Sequence, residues 1–414
     1  MTREVNVMAA ANKFLAQISG NLGAYMEACI HCGQCAEACH FYEVTKDPRY
    51  TPAYKLFPMS RAYKRSKPPL SWFGGAPKIT EKDLREWEEL IFDSCTMCGR
   101  CTMVCPMGID ISSIVAVSRQ AFVAAGLGPP DLLQAADNAR DKGSPLGVTR
   151  DVFTDRIEWL EDEYEVEICL DKENAEVLLT VSSVELMKYP MSIVAMAKLL
   201  NHAGVDWTLS SKGYEATNFG FLAGKADVAK VMIERVTDAA EAVGAKTVVI
   251  PECGHAFGVL RWSGANILGR PLPFEVMHIT EYLAELKRAG RLTLRPLDDS
   301  ITYHDPCQVS RRGGAMQAAR DLLDGFATDF REMSPTGNHN WCCGGGGGVQ
   351  AISRAADLRH KVFRIKMNQV EDTGADTMLS SCANCRLTMD ESKEHWHWDK
   401  NLDSLVEVLA EHID

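Results

Sequence analysis

Apolar and polar residues alternate with two different textures along this chain. Up to about residue 125 the apolar positions fall in helix-like segments. Residues 80–92 read as a helix with Thr80 as its cap and Asp83 at the capping-box position. Residues 111–125 read as another, stopped by Gly126-Leu127-Gly128-Pro129-Pro130. Residues 126–174 read as a helical linker with an acidic stretch over 158–167. From about Ala175 short β-rich runs begin: Val177 to Val181, Val205 to Leu209, Thr247 to Ile250, Ile301 to Tyr303 and Thr377 to Leu379. Helical stretches at 190–202, 223–243 and 350–370 separate them, and this alternation predicts parallel sheets covered by helices.

The second half reads as an internal duplication. Gly244-Ala245-Lys246-Thr247-Val248-Val249 leads to Glu252-Cys253-Gly254-His255, and Gly374-Ala375-Asp376-Thr377-Met378-Leu379 leads to Cys382-Ala383-Asn384-Cys385. Helix, Gly-Ala turn, strand and terminal cysteine recur in the same order.

Bulk properties narrow the class. A chain of 414 residues exceeds one ordinary core, so two or three domains are expected. The net charge of −12 gives no reason to expect a nucleic-acid partner. No apolar run is long enough to cross a bilayer, and no signal peptide or twin-arginine signal is legible, so a cytoplasmic location is expected. Fifteen cysteines are many for a reducing compartment, where clustered thiols read as metal ligands. Only Cys169 stands outside the motifs, and its apolar neighbours suggest a buried structural thiol.

Two quartets carry the clearest chemistry: Cys29-x2-Cys32-x2-Cys35-x3-Cys39 and Cys95-x2-Cys98-x2-Cys101-x3-Cys105-Pro106. Three cysteines spaced two apart bind one [4Fe-4S] cubane and the fourth ligates the other cluster. The first cubane is therefore expected on Cys29, Cys32, Cys35 and Cys105, and the second on Cys95, Cys98, Cys101 and Cys39. Structural zinc is the bland alternative, and two complete quartets argue against it. His40 stands where a proline commonly follows such a quartet. Residues 41–94 between the quartets are helix-bearing. They carry Lys46, Arg49, Lys55, Arg61, Lys64, Arg65, Lys67 and Lys78, with Trp72 and Phe73, and read either as a membrane-side docking segment or as a solvated loop.

A second set, Cys307, Cys342-Cys343 and Cys382-x2-Cys385, occupies strand or loop ends that a parallel sheet gathers on one edge. Adjacent cysteines suit a multi-iron cluster better than a single ion. The glycine run 344–348 directly after them suits close backbone approach to a cluster better than a linker. Arg311 and Arg312 follow Cys307 and read as a solvated basic loop or an attractor of an anionic substrate.

These motifs resemble the heterodisulfide-reductase-related HdrD/DsrK family. The long interval between the quartets is similar to the helical ferredoxins of succinate dehydrogenase and heterodisulfide reductase, and the second set resembles the cysteine-rich CCG domain. The phrases Glu215-Ala216-Thr217-Asn218-Phe219-Gly220, Glu252-Cys253-Gly254-His255-Ala256 and Tyr303-His304-Asp305-Pro306-Cys307 are closest to DsrK and the related Hmc, Tmc and hydrogenase-associated subunits. The resemblance implies an α+β multi-domain chain, with an all-α helical ferredoxin domain followed by two tandem α/β CCG-type repeats. The expected boundaries are 1–125, a linker 126–174, a degenerate repeat 175–295 and a complete repeat 296–414. It implies a noncubane [4Fe-4S] cluster on Cys307, Cys342, Cys343, Cys382 and Cys385, in addition to the two cubanes. The first repeat lacks a five-cysteine set. Glu252 aligns with Cys382 and His255 with Cys385 without a gap, whereas one gap sets Cys253 opposite Cys382. Glu252 or His255 is the expected proton-exchanging group, with packing of the repeat interface as the alternative.

The implied activity is thiol–disulfide oxidoreduction. The implied partners are a membrane b-type cytochrome (HdrE/DsrM-like) and a small DsrC-type protein carrying a cysteine disulfide or trisulfide, with the chain peripheral on the inner face of the membrane. The alternatives are an electron relay without its own substrate, as in hydrogenase-associated subunits, and the iron–sulfur subunit of a glycolate or glycerol-3-phosphate dehydrogenase. The latter subunits usually keep a cysteine pair where Thr217-Asn218 stands here.

Overall fold

The computed structural model describes residues 4–67 and 77–414; Trp72 and Phe73 of the basic segment lie outside them. The chain divides into two compact units. The first comprises Met1–Gln134, Gly220–Ala226 and Gly344–Phe363, and the second comprises Ala135–Phe219, Asp227–Cys343 and Arg364–Asp414.

The first unit is helical. Helices Val7–Gln17, Gly20–Ala28, Phe57–Ser66, Glu81–Phe92 and Ile111–Ala124 enclose Phe14, Phe92 and Phe122. Phe14 and Phe92 meet Phe122 edge-on at 6.0 and 6.2 Å. Thr80 caps its helix as expected: the Asp83 amide donates to Thr80 Oγ1 at 3.2 Å, and the Asp83 carboxylate accepts from the Thr80 amide at 2.9 Å. At the centre lies Arg119, fully buried. Its guanidinium donates to four backbone carbonyls: Ile91, Cys95, Leu222 and Gly347, at 2.5–3.2 Å. One side chain thereby ties together three sequence-distant pieces of this unit.

The second unit holds two four-stranded sheets, every pair parallel. Strands β1 (Val177–Leu179), β2 (Trp207–Thr208), β3 (Thr247–Ile250) and β4 (Glu275–His278) run in the order β2-β1-β3-β4. Strands β5 (Leu297–His304), β6 (Ala327–Phe330), β7 (Thr377–Ser380) and β8 (Asn401–Ser404) run in the order β6-β5-β7-β8. The same order twice is the topological counterpart of the repeat in the sequence. β1 is a continuous buried apolar run, and β3 and β7 are buried from their second residue onward, as helix-covered parallel sheets require. β1, β3, β5 and β7 all contribute to one apolar cluster.

Several details depart from the sequence reading. The expected helix 223–243 is two, Phe219–Ala223 and Ala226–Val243, because Gly224 turns the chain at φ +81°. The expected helix 350–370 begins only at Ala356, after two single 3₁₀ turns. Cys169 is half-buried rather than buried, in an irregular segment with Sγ 3.8 Å from the Glu167 carboxylate. Among the basic residues of the interval, Lys55 is buried instead of solvated, and Arg61 pairs with Asp83 at 3.1 Å over the Trp87 ring.

Candidate metal centres

The two amino-terminal quartets share one backbone design. Each holds left-handed residues around its second cysteine: His31 and Gly33 in the first, Met97 and Gly99 in the second. A one-turn helix follows in both, Gln34–Glu37 and Arg100–Met103. Such alternation turns successive amide N–H groups toward an anion. Cys39, Cys95, Cys98 and Cys101 line a single small cavity, with His40, Phe41 and Lys55 in its wall. That is the grouping expected for the second cubane. Burial pushes the Cys39 and Cys101 thiols up, and neighbouring thiolates add to the rise for Cys101. A metal core that takes the thiolate charge relieves both penalties. Cys29 and Cys32 act electrostatically on Cys35. Cys32 is exposed, Cys29 and Cys105 are half-buried and Cys35 is buried.

Arg119 braces the second quartet through the Cys95 carbonyl. Gly346 and Gly347 pack on the same loop. A Cβ at Gly347, where φ is +63°, would lie 2.7 Å from the Cys95 carbonyl oxygen and the Thr96 carbonyl carbon. The glycine run, expected to approach a cluster, makes its close approach to the Cys95-Thr96 backbone.

The carboxy-terminal cysteines gather at the ends of β5 and β7, on one edge because the strands are parallel. All five are buried, none with more than 6% of its surface exposed. Cys307 Sγ lies 3.7 Å from Cys342 Sγ. Cys385 shares side-chain hydrogen bonds with Cys343 and Cys382. Cys382 caps the helix Ala383–Trp396 and Cys385 occupies its first turn. The Cys385 thiol holds Cys382 below the ordinary thiol range, aided by the Gly254 amide and opposed by burial. Five buried thiols, none in a disulfide among the described residues, form a donor set suited to soft transition metals.

Three residues without a site role in the sequence reading complete the surroundings. His304, the last residue of β5, has a ring nitrogen within 4.8 Å of both Cys343 and Cys385 Sγ. Neither of its nitrogens meets a protein hydrogen-bond partner, and burial holds the ring neutral, well below the usual histidine range. A buried, unpartnered imidazole facing thiols fits a site built for a further group. Asp305 fixes the loop after β5: Arg320 grips its carboxylate with both terminal nitrogens, and the Gly337 amide donates at 2.9 Å. Lys366, fully buried, donates to the side-chain oxygens of Asn340 and Gln369. An exposed-type residue in a helix gives no sequence signal of such a role; His304 alone, three residues before Cys307, was open to suspicion.

The first repeat presents its own strand end to this site. Cys253 caps the helix Gly254–Leu268 as Cys382 caps its helix, because Pro251 adds one residue between β3 and the helix. Counted from the helix, Cys253 therefore corresponds to Cys382; counted from the strand, Glu252 does. Glu252 is fully buried, and its carboxylate accepts from Arg386 at 3.2 Å and Ser404 at 2.8 Å. Its carbonyl accepts the Ala383 amide at 2.7 Å. Burial pushes its carboxyl up to about 7 against the pull of Arg386. His255 Nε2 lies 3.2 Å from the Asn218 carbonyl, and Cys253 Sγ lies 3.3 Å from Thr217 Oγ1. Arg311 is not a substrate-facing cation: it is part-buried, bonded to the Asn338 and Asn340 carbonyls.

Comparison with known proteins agrees with this arrangement. Residues 25–109 match the 4Fe-4S dicluster domain family and residues 301–390 match the cysteine-rich domain family CCG. The chain is 26% identical over 400 residues to a dihydromethanophenazine:CoB–CoM heterodisulfide reductase subunit from Methanosarcina barkeri, covering 93% of both chains. It is 24% identical over 429 residues to the Hdr-like menaquinol oxidoreductase iron-sulfur subunit 2 of Archaeoglobus fulgidus, covering 90% of this chain and 77% of that one. It is 26% identical over 383 residues to the EtfAB:quinone oxidoreductase of Syntrophomonas wolfei, covering 86% of this chain and 52% of that one. The chain is an iron–sulfur oxidoreductase of the CCG class. Within that class, the matches support an HdrD-like family. No helix among the described residues is long and apolar enough to cross a membrane.

Proposed function

We propose that this chain passes electrons between a membrane partner and a thiol–disulfide substrate, through three iron–sulfur clusters. In this reading residues 1–125 form a helical ferredoxin domain, 126–174 a linker, and 175–295 and 296–414 a degenerate and a complete CCG-type repeat. Cys29, Cys32, Cys35 and Cys105 hold one cubane, and Cys95, Cys98, Cys101 and Cys39 hold the other. Cys307, Cys342, Cys343, Cys382 and Cys385 hold the noncubane cluster. The observation that carries the reading is the convergence of five buried thiols and an unpartnered imidazole at one sheet edge.

A cluster held by these cysteines at that edge would supply electrons singly to a disulfide, whose reduction consumes two electrons and two protons and yields two thiols. The protein's own part is to keep the site dry and to deliver protons. Glu252, whose carboxyl titrates near 7 beside Arg386, is the better supported proton donor. His255 is the second, with Nε2 engaged by the Asn218 carbonyl. The membrane partner is a b-type cytochrome that exchanges electrons with quinone, and the substrate is a small protein bearing a cysteine disulfide or trisulfide. The chain then works at the inner face of the membrane.

The test is EPR of anaerobically oxidised protein, with and without a small dithiol. A paramagnetic signal that requires the dithiol and disappears in Cys342→Ser/Cys343→Ser supports the reading. A complete set of clusters with no thiol-dependent signal supports a relay without its own substrate. The deep burial of all five thiols is the observation favouring that second reading.

A further inference from the structure

Lys366 is a buried lysine, lowered by burial to about 7 while Asp305, Cys342, Cys343 and Cys385 pull it back up, and its hydrogen-bond partners carry no charge. Its ammonium has three N–H donors, and three acceptors surround it: Asn340 Oδ1 at 2.6 Å, Gln369 Oε1 at 2.5 Å and Met333 Sδ at 3.5 Å. Both amides are turned by a second bond. Gln369 Nε2 donates to the Pro335 carbonyl at 3.0 Å, and Asn340 Nδ2 faces the Asp305 carbonyl at 3.5 Å, so each presents oxygen to the lysine. Three acceptors suit the protonated amine; the neutral amine would leave one of them facing a lone pair.

Among the described residues no carboxylate pairs with Lys366. The negative side chain that acts on it most strongly, Asp305, is already gripped by Arg320. A buried ammonium without a countercharge is strongly disfavoured, and groups of opposite sign must offset it. The other negative groups acting on Lys366 are the thiolates of Cys342, Cys343 and Cys385. His304, on which Lys366 also acts, is neutral and adds no charge.

The same construction recurs in the first unit. Lys55 is 2% exposed, donates to the Ser94 carbonyl and pairs with no carboxylate among the described residues. It lines the cavity of Cys39, Cys95, Cys98 and Cys101 and acts electrostatically on Cys39 and Cys101.

We propose that Lys366 is the fixed countercharge of the carboxy-terminal cluster, raising its reduction potential, and that Lys55 does the same for the second cubane. The inference rests on the proposed assignment of clusters to these cysteines. A fixed positive charge in a low-dielectric site stabilises the reduced, more negative cluster. Lys366 is thus a tuning residue that acts through the cluster and makes no contact with substrate.

The test is an EPR-monitored redox titration of the full chain, with iron counted first, on wild type, Lys366→Met, Gln369→Glu and Lys55→Met. Gln369→Glu keeps the ammonium and cancels its charge. At the wild-type midpoint of the carboxy-terminal cluster, Lys366→Met and Gln369→Glu should lower the ratio of reduced to oxidised cluster about tenfold, a 59 mV downward shift for a one-electron couple. Lys55→Met should shift one cubane only. About twelve irons with unchanged midpoints in the lysine variants would overturn the inference alone. Loss of the carboxy-terminal cluster from both Lys366→Met and Gln369→Glu would overturn it too, by making the lysine structural. About eight irons in the wild type would remove the cluster assignment beneath it, and the inference with it.

Discussion

Arg119→Met is the most informative single change in the first unit. Arg119 spreads its guanidinium N–H groups over four carbonyls, Nε and Nη2 on Ile91, Nη1 on Leu222 and Gly347, and Nη2 also on Cys95. Its guanidinium also stacks 4.9 Å from the Phe92 ring centre. Burial lowers it only to about 10, so it is charged at neutral pH. Hydrogen bonds to a charged group contribute about 1.5–3 kcal/mol each, and they are not additive here because they share one donor group. Methionine restores much of the volume and removes the cost of burying the cation, but leaves four carbonyls without their donor. The balance is a loss of about 3–4 kcal/mol, the range seen when one side of a buried charged network is removed. Arg119→Lys, with three donors, should lose about half as much. The assay is urea-induced bleaching of the visible cluster absorbance, with iron counted beforehand. Because Cys95 is one of the braced carbonyls, the variant should also lose iron from the second quartet first. Full iron content with a midpoint within about 0.5 kcal/mol of wild type would refute the reasoning.

Other consequences follow from single positions. Gly347→Ala should destabilise by more than about 2 kcal/mol, from a left-handed backbone and a Cβ 2.7 Å from the Cys95 oxygen. Gly290→Ala, at φ +70° in open space, should cost only about 1 kcal/mol, so similar urea midpoints for the two would count against the packing argument. His278 is buried, caps the helix Ile279–Arg288 and is lowered by burial to about 3. Its folded value lies below the unfolded one, so the unfolded chain binds more protons between those values. Stability from this group is complete above pH about 6.5 and is lost as pH falls toward 3. His278→Asn, which keeps a capping oxygen, should flatten that acid slope; an unchanged slope in urea titrations from pH 7 to 4 would remove His278 as its cause. Glu252→Gln should retain iron and slow disulfide reduction above all near neutral pH, where the carboxyl titrates; an unchanged pH–rate profile would exclude it as proton donor.

The parts of the fold legible in sequence were those written in apolar residues. β1, and β3 and β7 from their second residue onward, are buried, so their Val, Leu, Ile and Met stand out; in β5 the second half, from Ile301, is buried, after the exposed Asp298 and Asp299. β4, β6 and β8 are Glu275-Val276-Met277-His278, Ala327-Thr328-Asp329-Phe330 and Asn401-Leu402-Asp403-Ser404. These edge strands carry polar residues and read as loops. The cysteine groups were legible because thiolate spacing is specific to cluster chemistry. Lys55, Lys366 and Arg119 were not, since lysine and arginine are by default solvated and only tertiary packing buries them. The alignment of Glu252 and Cys253 was undecidable in sequence because Pro251 inserts one residue between strand and helix, so strand and helix give different registers.

The central claim is that Cys307, Cys342, Cys343, Cys382 and Cys385 hold a cluster of their own. Mössbauer spectroscopy of ⁵⁷Fe-enriched, anaerobically reconstituted full chain, with iron and labile sulfide counted per chain, tests it most directly. The account predicts about twelve irons in wild type and about eight in Cys342→Ser/Cys343→Ser, with the lost component distinct from the cubane signal. About eight irons in both, with identical spectra, would contradict it.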